Sequence, residues 1–189
     1  MKNIAIFASG NGTNAERIAR YFEKDQSITI PLILTNNPKA GVLQRAKNLG
    51  IQTQIFDRHL LYQTDDIVHV LKENKIDLIV LAGFLWLVPK NILASFPGKI
   101  VNIHPALLPK YGGKGMYGHH VHDAVIQSGD KFSGITIHYV NEKYDEGQII
   151  VQKEVKVTKS DTADTLASKI HKLEYEYFPK TIEKLLKNL

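Results

Sequence analysis

Lys99-Ile-Val-Asn-Ile-His-Pro-Ala-Leu-Leu-Pro109 reads as a buried strand that ends in a stiffened loop. Ile100, Val101 and Ile103 are strand formers, whereas Asn102 and His104 are polar residues of a kind that a fully buried strand avoids. Residues i and i+2 of a strand project from one face, so the amide and the imidazole leave the sheet together. Pro105 and Pro109 cannot continue the ladder and close the strand. In open α/β sheets ligands gather beyond the carboxyl ends of the strands. An amide donor beside an imidazole there can hold a carbonyl oxygen and move a proton. For either residue alone, a capping Asn or a hydrogen-bonded core His is the simpler explanation. The pair at this place favours function.

A second decisive stretch lies at the start of the chain. Asn3–Ala8 is a short apolar run, Ser9-Gly-Asn-Gly-Thr-Asn14 is a loop of small residues, and a helical pattern follows from Ala15 to about Phe22. Strand, Gly-containing loop and helix make a place where backbone N–H groups and the positive helix end hold a phosphate. The loop also fits a loose G-x-G-x-x-A dinucleotide fingerprint. That reading requires a carboxylate at the end of the second strand, Ile28–Leu34, where the chain has Thr35-Asn36-Asn37 instead. A phosphomonoester is therefore preferred to a dinucleotide.

The rest alternates in the same manner. Ala40–Leu49 reads as a helix, Ile51–Phe56 as a strand, Tyr62–Asn74 as a helix, and Ile76–Ala82 as the most apolar strand, ended by Gly83. Phe84-Leu-Trp-Leu-Val-Pro89 is a hydrophobic segment before a short helix, suited either to packing or to the wall of a slot for a flat ring. The four glycines of Gly112–Gly118 predict a loop, and His119, His120 and His122 open a helix running to about Ser128. Their spacing is poor for a metal site, so none is expected. Phe132–Val140 and Gly147–Val157 alternate as strands of an antiparallel hairpin, with Thr136 and His138 on one face and Asp145-Glu-Gly147 in the turn. A final helix runs from Ser160 to about Lys187, with a kink expected at Pro179. The pattern predicts a Rossmann-like α/β fold: a mostly parallel central sheet flanked by helices, a C-terminal hairpin and a long last helix.

Composition narrows the function classes. At 189 residues, 43% of them hydrophobic and 23% charged, the chain is read as one domain over residues 1–189. It has no cysteine, which removes disulfides, thiolate–zinc sites and a Cys nucleophile. The +5 net charge is dispersed, favouring small anionic ligands over nucleic acid, which calls for a clustered basic stripe. The N-terminus lacks a signal-peptide layout and no apolar run is long enough to span a bilayer, so a cytoplasmic location without membrane contact is expected.

Five stretches, in order and at matching spacing, resemble the folate-dependent phosphoribosylglycinamide formyltransferases of purine synthesis. They are Ser9–Asn14, Leu81-Ala-Gly-Phe84, Asn102–Tyr111, Gly134-Ile-Thr-Ile-His138 and Asp145-Glu-Gly147. The resemblance covers essentially the whole chain. It implies a formyl transfer from 10-formyltetrahydrofolate, as co-substrate, to the amine of glycinamide ribonucleotide, without a metal. It implies Asn102, His104 and Asp145 as the catalytic trio, and Gly12, Thr13 and Asn14 as the phosphate loop. Glu174 becomes a ribonucleotide ligand, while Arg58, Leu85, Trp86, Leu87, Val88 and Asn102 become folate contacts. Trp86 stands where many relatives are expected to carry a smaller or basic residue, and Gly112–His122 is longer and richer in Gly and His than expected. The assembly implied is a monomer or homodimer. The rival readings are a formyltetrahydrofolate hydrolase, which would use the same trio with water, a methionyl-tRNA formyltransferase, and a non-catalytic nucleotide-binding module. The additional regulatory or C-terminal domains of the first two are not expected here.

Overall fold

Short β-branched and Leu-rich runs pair into one seven-stranded sheet in the computed structural model, which describes residues 1–189. The elements follow as β1 (Lys2–Phe7), α1 (Thr13–Phe22), β2 (Ile28–Thr35), α2 (Gly41–Asn48), β3 (Gln52–Ile55), α3 (Arg58–Tyr62) and α4 (Asp66–Glu73). Then come β4 (Leu78–Leu81), α5 (Lys90–Ser95), β5 (Ile100–His104), α6 (His119–Ser128), β6 (Phe132–Tyr139), β7 (Ile149–Lys156) and α7 (Ala163–Leu186). The strand order is β3-β2-β1-β4-β5-β6-β7. The first five strands are parallel, and β6 and β7 are antiparallel to their neighbours. The expected α/β architecture with a C-terminal hairpin and a long last helix is the one the chain adopts. No helix is long and apolar enough to cross a membrane.

The period-2 alternation of the strands builds two cores. Ile4, Ile6, Leu78, Val80, Val101 and Ile103 face α1, α6 and α7, where Ile18, Val125, Ile170 and Phe178 fill the space between layers. Ala5, Phe7, Ile79, Leu81 and Ile100 face α3, α4 and α5, meeting Leu61, Leu71 and Ile92. Asn102 and His104 share the parity of Ile100, so the sheet directs both toward the α3–α5 side at the carboxyl end of β5. The strand order reverses between β1 and β4, which opens a crevice there. Two bonds pin the loops at its mouth: Ser9 N–H donates to the Gly83 carbonyl and Leu85 N–H donates to Ser9 Oγ, both at 3.0 Å.

Two helices begin elsewhere than the sequence suggests, each for a local reason, whereas the last helix runs through Pro179 as one element. Helix α1 begins at Thr13 because Gly12, at φ 72°, makes the sharp entry that only glycine enters freely. The helix expected over Tyr62–Asn74 starts only at Asp66, as α4, and a short helix outside that expectation, α3, precedes it. Asp57 accepts from Leu60 N–H and starts α3, while Thr64 Oγ1 accepts from Asp66 N–H and restarts the chain as α4. Helix α7 continues through Pro179. The proline leaves the Tyr175 carbonyl without its intrahelical donor, and Arg17 Nε donates to it instead, at 3.3 Å.

Candidate active site

Beyond the carboxyl ends of β1, β4 and β5 lies a cavity of about 840 Å³. Its walls come from both faces of the sheet: the β1–α1 loop and α7 on one side, Arg58 of α3 and the segment after β4 on the other. Asn102 and His104 enter at the end of β5, and Asp145 from the turn between β6 and β7. The sequence-predicted trio is thus brought to one place.

The antiparallel register of β5 and β6 sets Asn102 opposite His138 and His104 opposite Thr136. Thr136 Oγ1 donates to the Ala106 carbonyl at 2.7 Å and accepts from Leu108 N–H at 3.0 Å, fixing the path of the chain after the strand. His138 Nδ1 donates to the Tyr139 carbonyl at 2.9 Å, so its Nε2 is the acceptor and takes one amide hydrogen of Asn102 at 3.1 Å. The second Asn102 hydrogen has only a long 3.5 Å approach to Asp145 Oδ1 and is the one with capacity for an incoming oxygen.

His104 is buried, with its Nε2–H on the Tyr111 carbonyl at 2.7 Å and Nδ1 3.5 Å from Asp145 Oδ2. Burial lowers its pKa below the ordinary imidazole value, and the Asp145 carboxylate and the Tyr111 carbonyl offset this only in part. For Asp145 burial alone would raise the pKa. The His138 and His104 rings when they carry protons, with His138 Nε2 3.6 Å away, and the Gly113 N–H at 2.9 Å outweigh it and hold the carboxyl below its usual range. A neutral His104 therefore faces a carboxylate. A proton arriving at Nδ1 would find both ring nitrogens supplied with acceptors.

The turn that carries Asp145 is held tightly. Asp145 itself has φ 56°, a left-handed conformation that Asp adopts more readily than most residues. A side chain at Gly147 would overlap the Tyr139 carbonyl, and a Cβ at Gly112 would stand 3.2 Å from that of Asp145. The Gly112–Gly113 stretch and the hairpin turn thus approach as closely as backbone allows.

Gly12, Thr13 and Asn14 line the cavity at the start of α1, and a Cβ at Gly12 would overlap Val42. Asn14 Nδ2 donates to Glu174 Oε2 at 2.9 Å, and His171 Nδ1 lies 3.0 Å from the same oxygen. That bond raises the His171 pKa. His122 is buried beside them with Nδ1 unpartnered, and burial pushes its pKa down to about 4. Its neighbour His119 is instead exposed between Asp123 and Asp164.

Arg58, Leu85 and Trp86 also line the cavity. Leu87 and Val88 do not. They line a separate recess of about 540 Å³ with Tyr62, Asn91 and Glu142, because the chain turns its back to the cavity after Trp86 and Val88 packs into the core. Reasoning from the sequence did not select His138, His122, His171 or the Tyr111 carbonyl. His138 carried a signal: it shares a face with Thr136 and, once the hairpin is laid against β5, stands opposite Asn102.

Comparison with known proteins agrees with this geometry. A formyl transferase family profile matches residues 2–182. The phosphoribosylglycinamide formyltransferase of Bacillus subtilis is 37% identical, covering 98% of this chain and 95% of that protein. The chloroplastic enzyme of that name from Arabidopsis thaliana is 39% identical over 98% of this chain, which spans 67% of its length. Among solved structures, the phosphoribosylglycinamide formyltransferase of Bacillus halodurans superposes with a TM-score of 0.88 at 39% identity, over 98% of this chain and 95% of that one. The one from Anaplasma phagocytophilum gives 0.89 at 34%, over 99% and 88%. The chain belongs to the formyl transferase family, in its phosphoribosylglycinamide formyltransferase branch.

Proposed function

We propose that this protein transfers the formyl group of 10-formyltetrahydrofolate to the primary amine of 5-phosphoribosylglycinamide, releasing tetrahydrofolate, as a step of purine biosynthesis. The observation that carries the reading is the meeting of Asn102, His104 and Asp145 within 3.5 Å contacts in the same cavity as the Gly12–Asn14 loop.

The amine attacks the formyl carbon, forming a C–N bond and a tetrahedral oxyanion. Collapse breaks the bond to N10 of the folate, which takes up a proton as it leaves. The free hydrogen of Asn102 is the donor for the oxyanion, and one such donor is typically worth ~3–4 kcal/mol. Neutral His104 accepts the proton lost by the attacking nitrogen. The resulting imidazolium is stabilised by Asp145 at Nδ1 and the Tyr111 carbonyl at Nε2, and its proton is returned toward N10. His138 acts through Asn102, holding the amide in one orientation.

Backbone N–H groups of Gly12, Thr13 and Asn14, at the positive end of α1, suit the ribonucleotide phosphate. Glu174 suits the sugar hydroxyls. Arg58, Leu85 and Trp86 provide an apolar and cationic wall for the folate, and the recess lined by Leu87 and Val88 offers further space for its ring system. The cavity of about 840 Å³ lies toward the upper end of the ~300–1,000 Å³ usual for small-molecule sites. A single domain over residues 1–189, acting in the cytoplasm as a monomer or homodimer on these small molecules, belongs to the same reading.

The test is a single mixture of both substrates with the purified protein. Tetrahydrofolate should appear in step with formylated ribonucleotide. Tetrahydrofolate release that proceeds equally without the amine would overturn transfer in favour of hydrolysis.

A further inference from the structure

The carbonyl that holds His104 belongs to a residue in an unusual backbone conformation. Tyr111 has φ 56°, and of the three non-glycine residues with positive φ it is the one aromatic. The left-handed region crowds Cβ against the backbone, which is costly for a bulky residue. The side chain of Tyr111 supplies what holds it there. Its hydroxyl donates to Asp130 Oδ2 at 2.8 Å and stands 2.6 Å from Ser128 Oγ, while the ring packs against the core. Both partners are fixed by the end of α6. Gly129 closes that helix at φ 70°, Ser128 Oγ donates to the Val125 carbonyl at 2.8 Å, and Asp130 N–H donates to Ser128 Oγ at 3.2 Å. Lys110 Nζ reaches the same carboxylate from the surface, at 2.9 Å.

The anchored stretch presents more than one group. The Tyr111 carbonyl accepts from His104 Nε2 at 2.7 Å, and two residues on the Gly113 N–H donates to Asp145 Oδ2 at 2.9 Å. One short run of backbone thus holds both His104 and Asp145, whose facing atoms are 3.5 Å apart. An acceptor at Nε2 keeps the proton of a neutral His104 on that nitrogen and leaves Nδ1 free to take another. Tyr111, Ser128 and Asp130 do not line the reaction cavity. Tyr111 and Asp130 line a separate recess of about 240 Å³.

We propose that Tyr111 is a positioning residue: its phenol, anchored on Asp130 at the end of α6, holds the Tyr111–Gly113 backbone in the conformation that pairs His104 with Asp145. This rests on the reading of His104 as the group that takes the proton of the attacking amine. The other titratable groups toward His104 are His138 of β6 and Glu174 of α7, and both are bonded elsewhere than to the anchor.

The experiment measures kcat, KM for both substrates and the pH profile of kcat/KM in the wild type, Tyr111→Phe, Asp130→Ala, Asp130→Asn and the Tyr111→Phe/Asp130→Ala double variant. Tyr111→Phe removes one oxygen and leaves the ring in place. It lowers kcat about tenfold, the loss of one hydrogen bond to a charged group, with each KM within about twofold. The acid limb moves to lower pH, because the imidazolium of His104 loses its acceptor at Nε2. Asp130→Ala gives the same losses. Asp130→Asn, whose amide oxygen still accepts from the phenol, recovers most of them, and the double variant is no worse than Asp130→Ala. A kcat for Tyr111→Phe within about twofold of wild type would overturn the proposal. So would a lower kcat with an unmoved acid limb, which marks a purely structural role, or losses that multiply in the double variant. NMR of protein with isotope-labelled histidine reads the anchor without substrates. The His104 Nε2–H exchanges slowly with water in the wild type and fast in Tyr111→Phe and Asp130→Ala, and equal exchange in all three would also overturn the proposal. Proteins that show this difference, while the wild type forms no formylated ribonucleotide, would overturn the transfer reaction and leave the anchor standing.

Discussion

Replacing Asp145 with Asn tests the proton-handling half of the mechanism with almost no change of shape. Asn Oδ1 can still accept the Gly113 N–H, so the contact between the hairpin turn and the Gly112–Gly113 stretch survives. What is lost is a negative charge 3.5 Å from His104 Nδ1, with 4% and 12% of the two side chains exposed. At an effective dielectric constant of about 20, a unit pair at that distance interacts by ~4–5 kcal/mol. That support exists only while His104 carries the proton, so its loss falls on kcat, by about 10³-fold. KM for the ribonucleotide should move by less than about twofold, because Asp145 touches none of Gly12, Thr13, Asn14 or Glu174.

The pH profile adds a second readout of the same variant. His104 already titrates below the ordinary imidazole value because burial outweighs the pull of Asp145. Removing that pull leaves burial less opposed, so the acid limb of kcat/KM shifts to lower pH in the variant. Stability should follow the opposite partner. The Asp145 carboxyl titrates below its unfolded value, so the stability it adds is present above the ordinary carboxylate range and is lost as pH falls through the lowered folded value. The stability gap between wild type and Asp145→Asn should accordingly narrow in acid. Steady-state kinetics with both substrates varied, from pH 5 to 9, provide the assay. A kcat within about tenfold of wild type, or an acid limb that moves upward, would refute the assignment of Asp145.

Three further outcomes follow from the same geometry. His138→Ala deprives Asn102 of its 3.1 Å partner and should lower kcat about ten- to hundredfold with ribonucleotide KM held, as steady-state kinetics will read. Gly147→Ala forces a methyl into the Tyr139 carbonyl and should cost about 3 kcal/mol of stability or more, seen as a lower Tm by circular dichroism. Thr13→Ala removes a donor from the phosphate loop and should raise ribonucleotide KM about fivefold or more, by a net hydrogen bond of roughly 1 kcal/mol, while leaving folate KM in place.

Much of this molecule could be read from local pattern because its core is built on period-2 strands of Val, Ile and Leu. The parity of Ile100 fixes the side to which Asn102 and His104 point, and parity is a property of the sequence. Where the reading slipped, a side chain had intervened in backbone accounting. Asp57 caps a short helix, α3, that the apolar periodicity does not announce, and Thr64 holds the start of α4 back to Asp66. The Asp57 cap matters to the site, since it sets Arg58 in the first turn of a short helix beside the cavity.

The site asks for more than parity. Asp145 lies 43 positions after Asn102, and the distance between them in space is decided by two things with no short-range signature. One is the register of β6 on β5, which sets His138 against Asn102; a slip of one residue would turn His138 away from Asn102 and bring Tyr139 or Ile137 to its place. The other is the bareness of Gly112, which lets its loop close on the hairpin turn, and of Gly147, which lets that turn fold back on the end of β6, so that a carboxylate reaches both an imidazole and an amide. Polar residues on a buried strand reveal where chemistry will occur. Which partners reach them is a matter of how strands pair and where the backbone carries no side chain, so His138 and the Tyr111 carbonyl emerged only with the fold. Trp86 and Arg58 make the same point on the opposite wall: 28 positions apart, with no ion pair to announce them, they meet because the fold lays the guanidinium over an indole that Phe56 and Tyr62 pack against.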